Sequence, residues 1–68
     1  MDTDTVALGK AIKKVREKRG MSQASFAKRL GVTQGYISKV EAGKTMPNFK
    51  FIHKVRSKYS LNINKLCE

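Results

Sequence analysis

The sequence predicts an all-α fold, a compact domain of five helices, and three observations lead to it. Apolar residues recur at spacings of three and four along the chain, and no stretch alternates with the period of two that a half-buried strand needs. Three helix starts carry one signature: an apolar residue, a Ser, Thr or Asn cap, and an apolar residue four positions into the helix. They are Met21–Ser22–Phe26, Val32–Thr33–Ile37 and Leu61–Asn62–Leu66. Gly20, Gly31 and Gly43 stand where a helix has to stop and the chain has to turn.

The elements follow in order. Residues 1–5 are a polar lead-in to a single domain spanning 1–68, with Asp2 and Asp4 suited to the positive end of a helix dipole and Thr5 as the first cap. Helix one is expected from about Val6 to Lys18, with Leu8, Ala11, Ile12 and Val15 inward and Lys10, Lys13, Lys14 and Glu17 in water. Gly9 inside it costs about 1 kcal/mol relative to alanine. Ser22 opens helix two, which turns Phe26, Ala27 and Leu30 inward. Gly31 reverses the chain, and Thr33 opens helix three, which Ile37 and Val40 anchor from behind. Ala27 is the one small residue on the inward face, so it marks the close approach of helices two and three. Ala42 to Pro47 is a loop, and Asn48 caps helix four, roughly Phe49 to Tyr59. Phe49, Ile52, Val55 and Tyr59 are expected inside, with Lys50, Lys54 and Lys58 on the opposite stripe. Helix five, Ile63 to Cys67, is barely one turn.

The charge is lopsided. The formal net charge is +10, and between Thr5 and Cys67 only Glu17 and Glu41 oppose fifteen Lys and Arg. Such a surface attracts polyanions. No apolar run reaches the roughly 20 residues of a membrane span, and no signal peptide follows Met1. The lone Cys67 suits a reducing cytoplasm. Nucleic acid is therefore the expected partner, not a membrane.

No catalytic constellation is visible. His53 is the only histidine, one cysteine cannot build a thiolate zinc site, and the glycines have no phosphate-loop spacing. No enzyme activity, metal, cofactor or small-molecule ligand is expected. The chemistry on offer lies on helix three, where Gln34, Gly35, Ser38 and Lys39 point away from the apolar face. The Gln34 amide matches the paired donor and acceptor of adenine. Lys39 can donate to guanine O6 or N7, and Ser38 can bond either kind of base edge.

The segment Leu8–Leu66, carrying S-Q-A-S-F-A-K-R-L-G-V-T-Q-G-Y-I-S-K-V-E-A-G-K, then P-N-F and L-N-I-N-K-L, resembles the Cro/C1-type (XRE-like) helix-turn-helix family of phage repressors and bacterial regulators. The resemblance implies a lambda-repressor-like domain with the motif at helices two and three. It implies base contacts from Gln34, Gly35, Ser38 and Lys39, and phosphate contacts from Ser22, Gln23, Thr33, Tyr36 and Lys44. It also implies an ion pair between Arg16 and Glu41, tying helix one to the end of helix three. Gly35 stands where some relatives carry a base-reading side chain. Arg56 and Ser60 stand where alanine and glycine are common, near the region that often forms the family's dimer contact. The expectation is a cytoplasmic transcriptional regulator binding a palindromic operator in double-stranded DNA as a homodimer. The rival is an antitoxin-type protein-interaction module of the same fold, which would carry an extra partner-wrapping segment.

Overall fold

The computed structural model describes residues 3–59, and among them four α-helices form the fold: α1 Thr3–Lys18, α2 Gln23–Leu30, α3 Gln34–Glu41 and α4 Phe49–Tyr59. The expected fifth helix, Ile63 to Cys67, lies outside the described residues. No helix among them is long and apolar enough to cross a membrane.

The three inter-helix turns share a design. After α2, Gly31 takes a left-handed conformation (φ 71°). Its N–H returns to the Lys28 carbonyl at 3.3 Å and that of Val32 to the Ala27 carbonyl at 3.0 Å. Two carbonyls that the helix end would orphan are thereby satisfied. The same pair of bonds closes α1 through Gly20 and Met21, and α3 through Gly43 and Lys44. At the other ends, Ser22 Oγ accepts from the Ser25 N–H and Thr33 Oγ1 from the Tyr36 N–H, each at 3.1 Å. Asn48 Oδ1 accepts from the Phe51 N–H at 2.8 Å.

The amphipathic faces meet in one core of Leu8, Ile12, Phe26, Ala27, Leu30, Ile37, Val40, Phe51 and Val55. Met21 and Val32, the residues ahead of the two caps, pack against it. Burying each large side chain contributes about 1.5–3 kcal/mol. Gly9 lets α1 lie directly on the end of α3. A Cβ there would overlap the Val40 carbonyl oxygen and come within 3.2 Å of its carbonyl carbon.

Two expectations are corrected. Helix α1 begins at Thr3, so Thr5 is not its cap. Thr5 shares a stripe with Leu8 and Ile12 at i, i+3 and i+7 and is 5% exposed. On α4 the inward aromatic is Phe51, 2% exposed, while Phe49 is 84% exposed. The two differ by two positions, or about 200° around the helix, so they cannot share a face. Phe51 is held by the Tyr36 ring, edge-on at 5.2 Å between centroids. Lys54 and Lys58, on the stripe opposite the apolar face as expected, also cap a neighbouring helix. Their ammonium groups donate to the Leu30 and Arg29 carbonyls at 3.3 and 3.0 Å, placing two cations at the negative end of α2.

Candidate nucleic-acid interface

Helix α3 is eight residues long and divides cleanly. Ile37 and Val40 are fully buried against α1 and α2. Gln34, Gly35, Ser38 and Lys39 are exposed on the opposite arc. The helix is therefore fixed from behind, and its outward groups are two amide donors and an acceptor, a hydroxyl, an ammonium and a bare backbone segment at Gly35.

The flanking polar residues have a common polarity. Ser22, Thr33 and Tyr36 each use a hydroxyl oxygen as acceptor for a backbone N–H. For Tyr36 that N–H belongs to Asn48, at 3.0 Å. A hydroxyl has one hydrogen to give, and in all three it is the end not engaged among the described residues. Donors suit an anion. Lys44, at the turn that closes α3, is exposed and adds a full positive charge.

Glu41 closes α3 and is the hub of a network. Its carboxylate accepts from Arg16 Nε at 2.7 Å and Nη2 at 3.0 Å, and from Gln23 Nε2 at 3.1 Å. The Arg16 and Glu41 side chains are only 12% and 4% exposed. The remaining Arg16 nitrogen donates to the Met21 carbonyl at 2.8 Å. One guanidinium thus ties α1 to the end of α3 and to the α1–α2 turn. The hydrogen bond to Glu41, aided by its Coulombic attraction, raises the Arg16 pKa above the ordinary value, against the opposing effect of burial. The pair keeps its positive partner at any accessible pH. Residues 16, 23 and 41 lie far apart in sequence, and no local pattern links Gln23 to Glu41. The Tyr36–Asn48 bond and the two lysine caps on α2 are likewise products of tertiary packing. Among the described residues, no group of His, Cys, Asp and Glu could hold a metal ion.

A model of the helix-turn-helix family matches residues 12–66. The chain belongs to the Cro/C1-type helix-turn-helix family of DNA-binding transcription regulators. Among its relatives, the ImmF control region 10 kDa protein of Bacillus phage phi105 is 32% identical over 63 residues, covering 93% of this chain and 70% of that protein. The HTH-type transcriptional regulator PuuR of Escherichia coli (strain K12) is 29% identical over 65 residues, covering 96% of this chain. The chain spans 35% of the length of that regulator, and the same share of its Shigella flexneri counterpart. Within the family frame, α2 and α3 of this chain form the helix-turn-helix, closed at its turn by Gly31 and Val32.

Proposed function

We propose that this chain is a sequence-specific regulator that binds a palindromic operator as a homodimer, with α3 of each copy in the major groove. Gln34, Ser38 and Lys39 read base edges, and Gly35 lets the backbone approach closely. Ser22, Gln23, Thr33, Tyr36 and Lys44 hold the phosphates on either side. In a two-fold complex the two recognition helices sit about 34 Å apart, one turn of duplex. Occupying the site controls transcription by blocking a promoter or recruiting polymerase. The observation that carries the reading is the outward arc of α3: four exposed residues able to present hydrogen-bonding groups, on a helix whose other side is fully buried. The phage control-region relative and the transcriptional regulators support the same conclusion.

The test compares two kinds of contact. Sites are selected from a random DNA pool, and affinity is measured at fixed salt for the best site and each single-base variant. Gln34→Ala is expected to cost about 1–3 kcal/mol on the best site and to relax preference at one base pair. Lys44→Ala is expected to weaken every sequence alike, because a phosphate carries no sequence information. If both changes lower every affinity by one factor, Gln34 reads no base. If Ser38→Ala and Lys39→Ala do the same, the groove assignment of α3 fails. Dimeric binding predicts two protomers per duplex and symmetric half-sites; one protomer on an asymmetric site would exclude it.

A further inference from the structure

We infer that Glu41 is a positioning residue for backbone recognition: its carboxylate locks the Gln23 amide so that an N–H, and not the amide oxygen, faces an approaching phosphate. The inference rests on the proposed phosphate contact of Gln23. A glutamine amide is nearly symmetric in shape and opposite in polarity at its two ends, so an untethered amide flips freely between donor and acceptor. An amide that turns its oxygen toward a phosphate repels it. A carboxylate only accepts, so Gln23 bonds Glu41 through its nitrogen, at 3.1 Å. Flipping would set the amide oxygen against the Glu41 carboxylate, which is already fixed by two bonds from Arg16.

The nitrogen has a second hydrogen. Gln23 is the first residue of α2 and half-buried, so that hydrogen sits at the helix end where backbone N–H groups also lack intrahelical partners. An acidic residue near DNA is ordinarily unfavourable. Here Arg16 neutralises it, and both side chains are nearly buried, so Glu41 supplies orientation without projecting its charge. The two roles of Glu41 separate by partner. Its bonds to Arg16 hold α1 on α3, and its bond to Gln23 sets the polarity of a surface donor.

The experiment uses a duplex selected by the wild-type chain, with each phosphate in turn replaced by an uncharged methylphosphonate. Affinities are measured at fixed salt for wild type, Gln23→Met, Glu41→Asp and the double variant. Glu41→Asp keeps the charge opposite Arg16 but is one methylene too short to hold both partners. Wild type is expected to lose about tenfold at the phosphate facing Gln23, the value of one hydrogen bond to a charged group. Gln23→Met should be insensitive to that replacement. Glu41→Asp should lose most of the same sensitivity, and the double variant should be no weaker than Gln23→Met. If Gln23→Met keeps the wild-type pattern, Gln23 touches no phosphate and the contact reading itself fails. If Gln23→Met loses the pattern and Glu41→Asp keeps it, the contact stands and the positioning role is overturned.

Should Glu41→Asp not fold, by circular dichroism, the wild-type chain answers instead. Labelled with ¹⁵N, its Gln23 side-chain amide should show one exchange-protected proton in free and DNA-bound protein, with the other shifting only when DNA binds. Two equivalent, unprotected protons, or loss of protection on binding, would overturn the role.

Discussion

Gly9→Ala should destabilise the fold, although the same change in an ordinary helix stabilises it. Alanine gains about 1 kcal/mol over glycine from helix propensity. In α1 that gain meets an obstacle, because the new methyl group would occupy the space of the Val40 carbonyl oxygen and lie 3.4 Å from the Glu41 carbonyl oxygen. Both are backbone atoms, so no side chain can rotate away. Helix α1 has to lift from α3, loosening the core that fully buried Ile12, Ile37 and Val40 share. Overpacking of this kind costs about 1–3 kcal/mol, and a shift of two backbones belongs at the upper end. The net expectation is a loss of about 1–2 kcal/mol, or a fall in Tm of roughly 5–15 °C for a chain of this size. Gly35→Ala is the internal control. Gly35 is also helical, but its added Cβ finds nothing closer than Thr33 Oγ1 at 3.9 Å, so stability should hold or rise slightly. Thermal and urea unfolding followed by circular dichroism measure both. A Gly9→Ala protein as stable as wild type would show that α1 and α3 do not touch at this point.

Three further outcomes follow from the geometry. Glu41→Ala leaves Arg16 nearly buried without its counter-charge, at a cost of about 3 kcal/mol; a double-mutant cycle with Arg16→Met should show strong coupling in urea unfolding, and additive single effects would contradict the pair. Phe51→Ala should cost about 3–5 kcal/mol and Phe49→Ser under about 0.5 kcal/mol, so equal losses in thermal unfolding would contradict the orientation of α4. Logarithmic DNA affinity should fall with logarithmic salt by about 0.9 per phosphate neutralised, and a flat titration would rule out a phosphate-dominated interface.

Local chemistry was the legible part of this chain. The caps at Ser22, Thr33 and Asn48 and the stops at Gly20, Gly31 and Gly43 depend on residues within five positions, so their residue types announced them. So did the exposed arc of α3, because Ile37 and Val40 fix its phase. Helix α4 was ambiguous for a physical reason. In F-K-F-I, Phe49 joins the stripe only by steps through Ile52, while Phe51 reaches Val55 and Tyr59 directly at i+4 and i+8, and it is Phe51 that meets the Tyr36 ring on a different helix. Thr5 misled because threonine is both a good cap and small enough to bury. The second partner of Glu41, Gln23, and the lysine caps on α2 were illegible because they join residues 18 to 29 positions apart.

The repeated closure of α1, α2 and α3 has a kinetic consequence. Helices of eight residues, such as α2 and α3, are too short to persist alone in water, whatever their caps. The caps and glycine turns therefore bias where each helix begins and ends in the unfolded chain without forming it. Stability arrives only when α2 and α3 dock and α1 closes over them, so helix formation and docking are one event. The search is short, since the bonds described above between helices join residues 18 to 29 positions apart. Such chains fold in microseconds to milliseconds. Folding should be a single exponential, with no stage at which α3 stands formed but undocked.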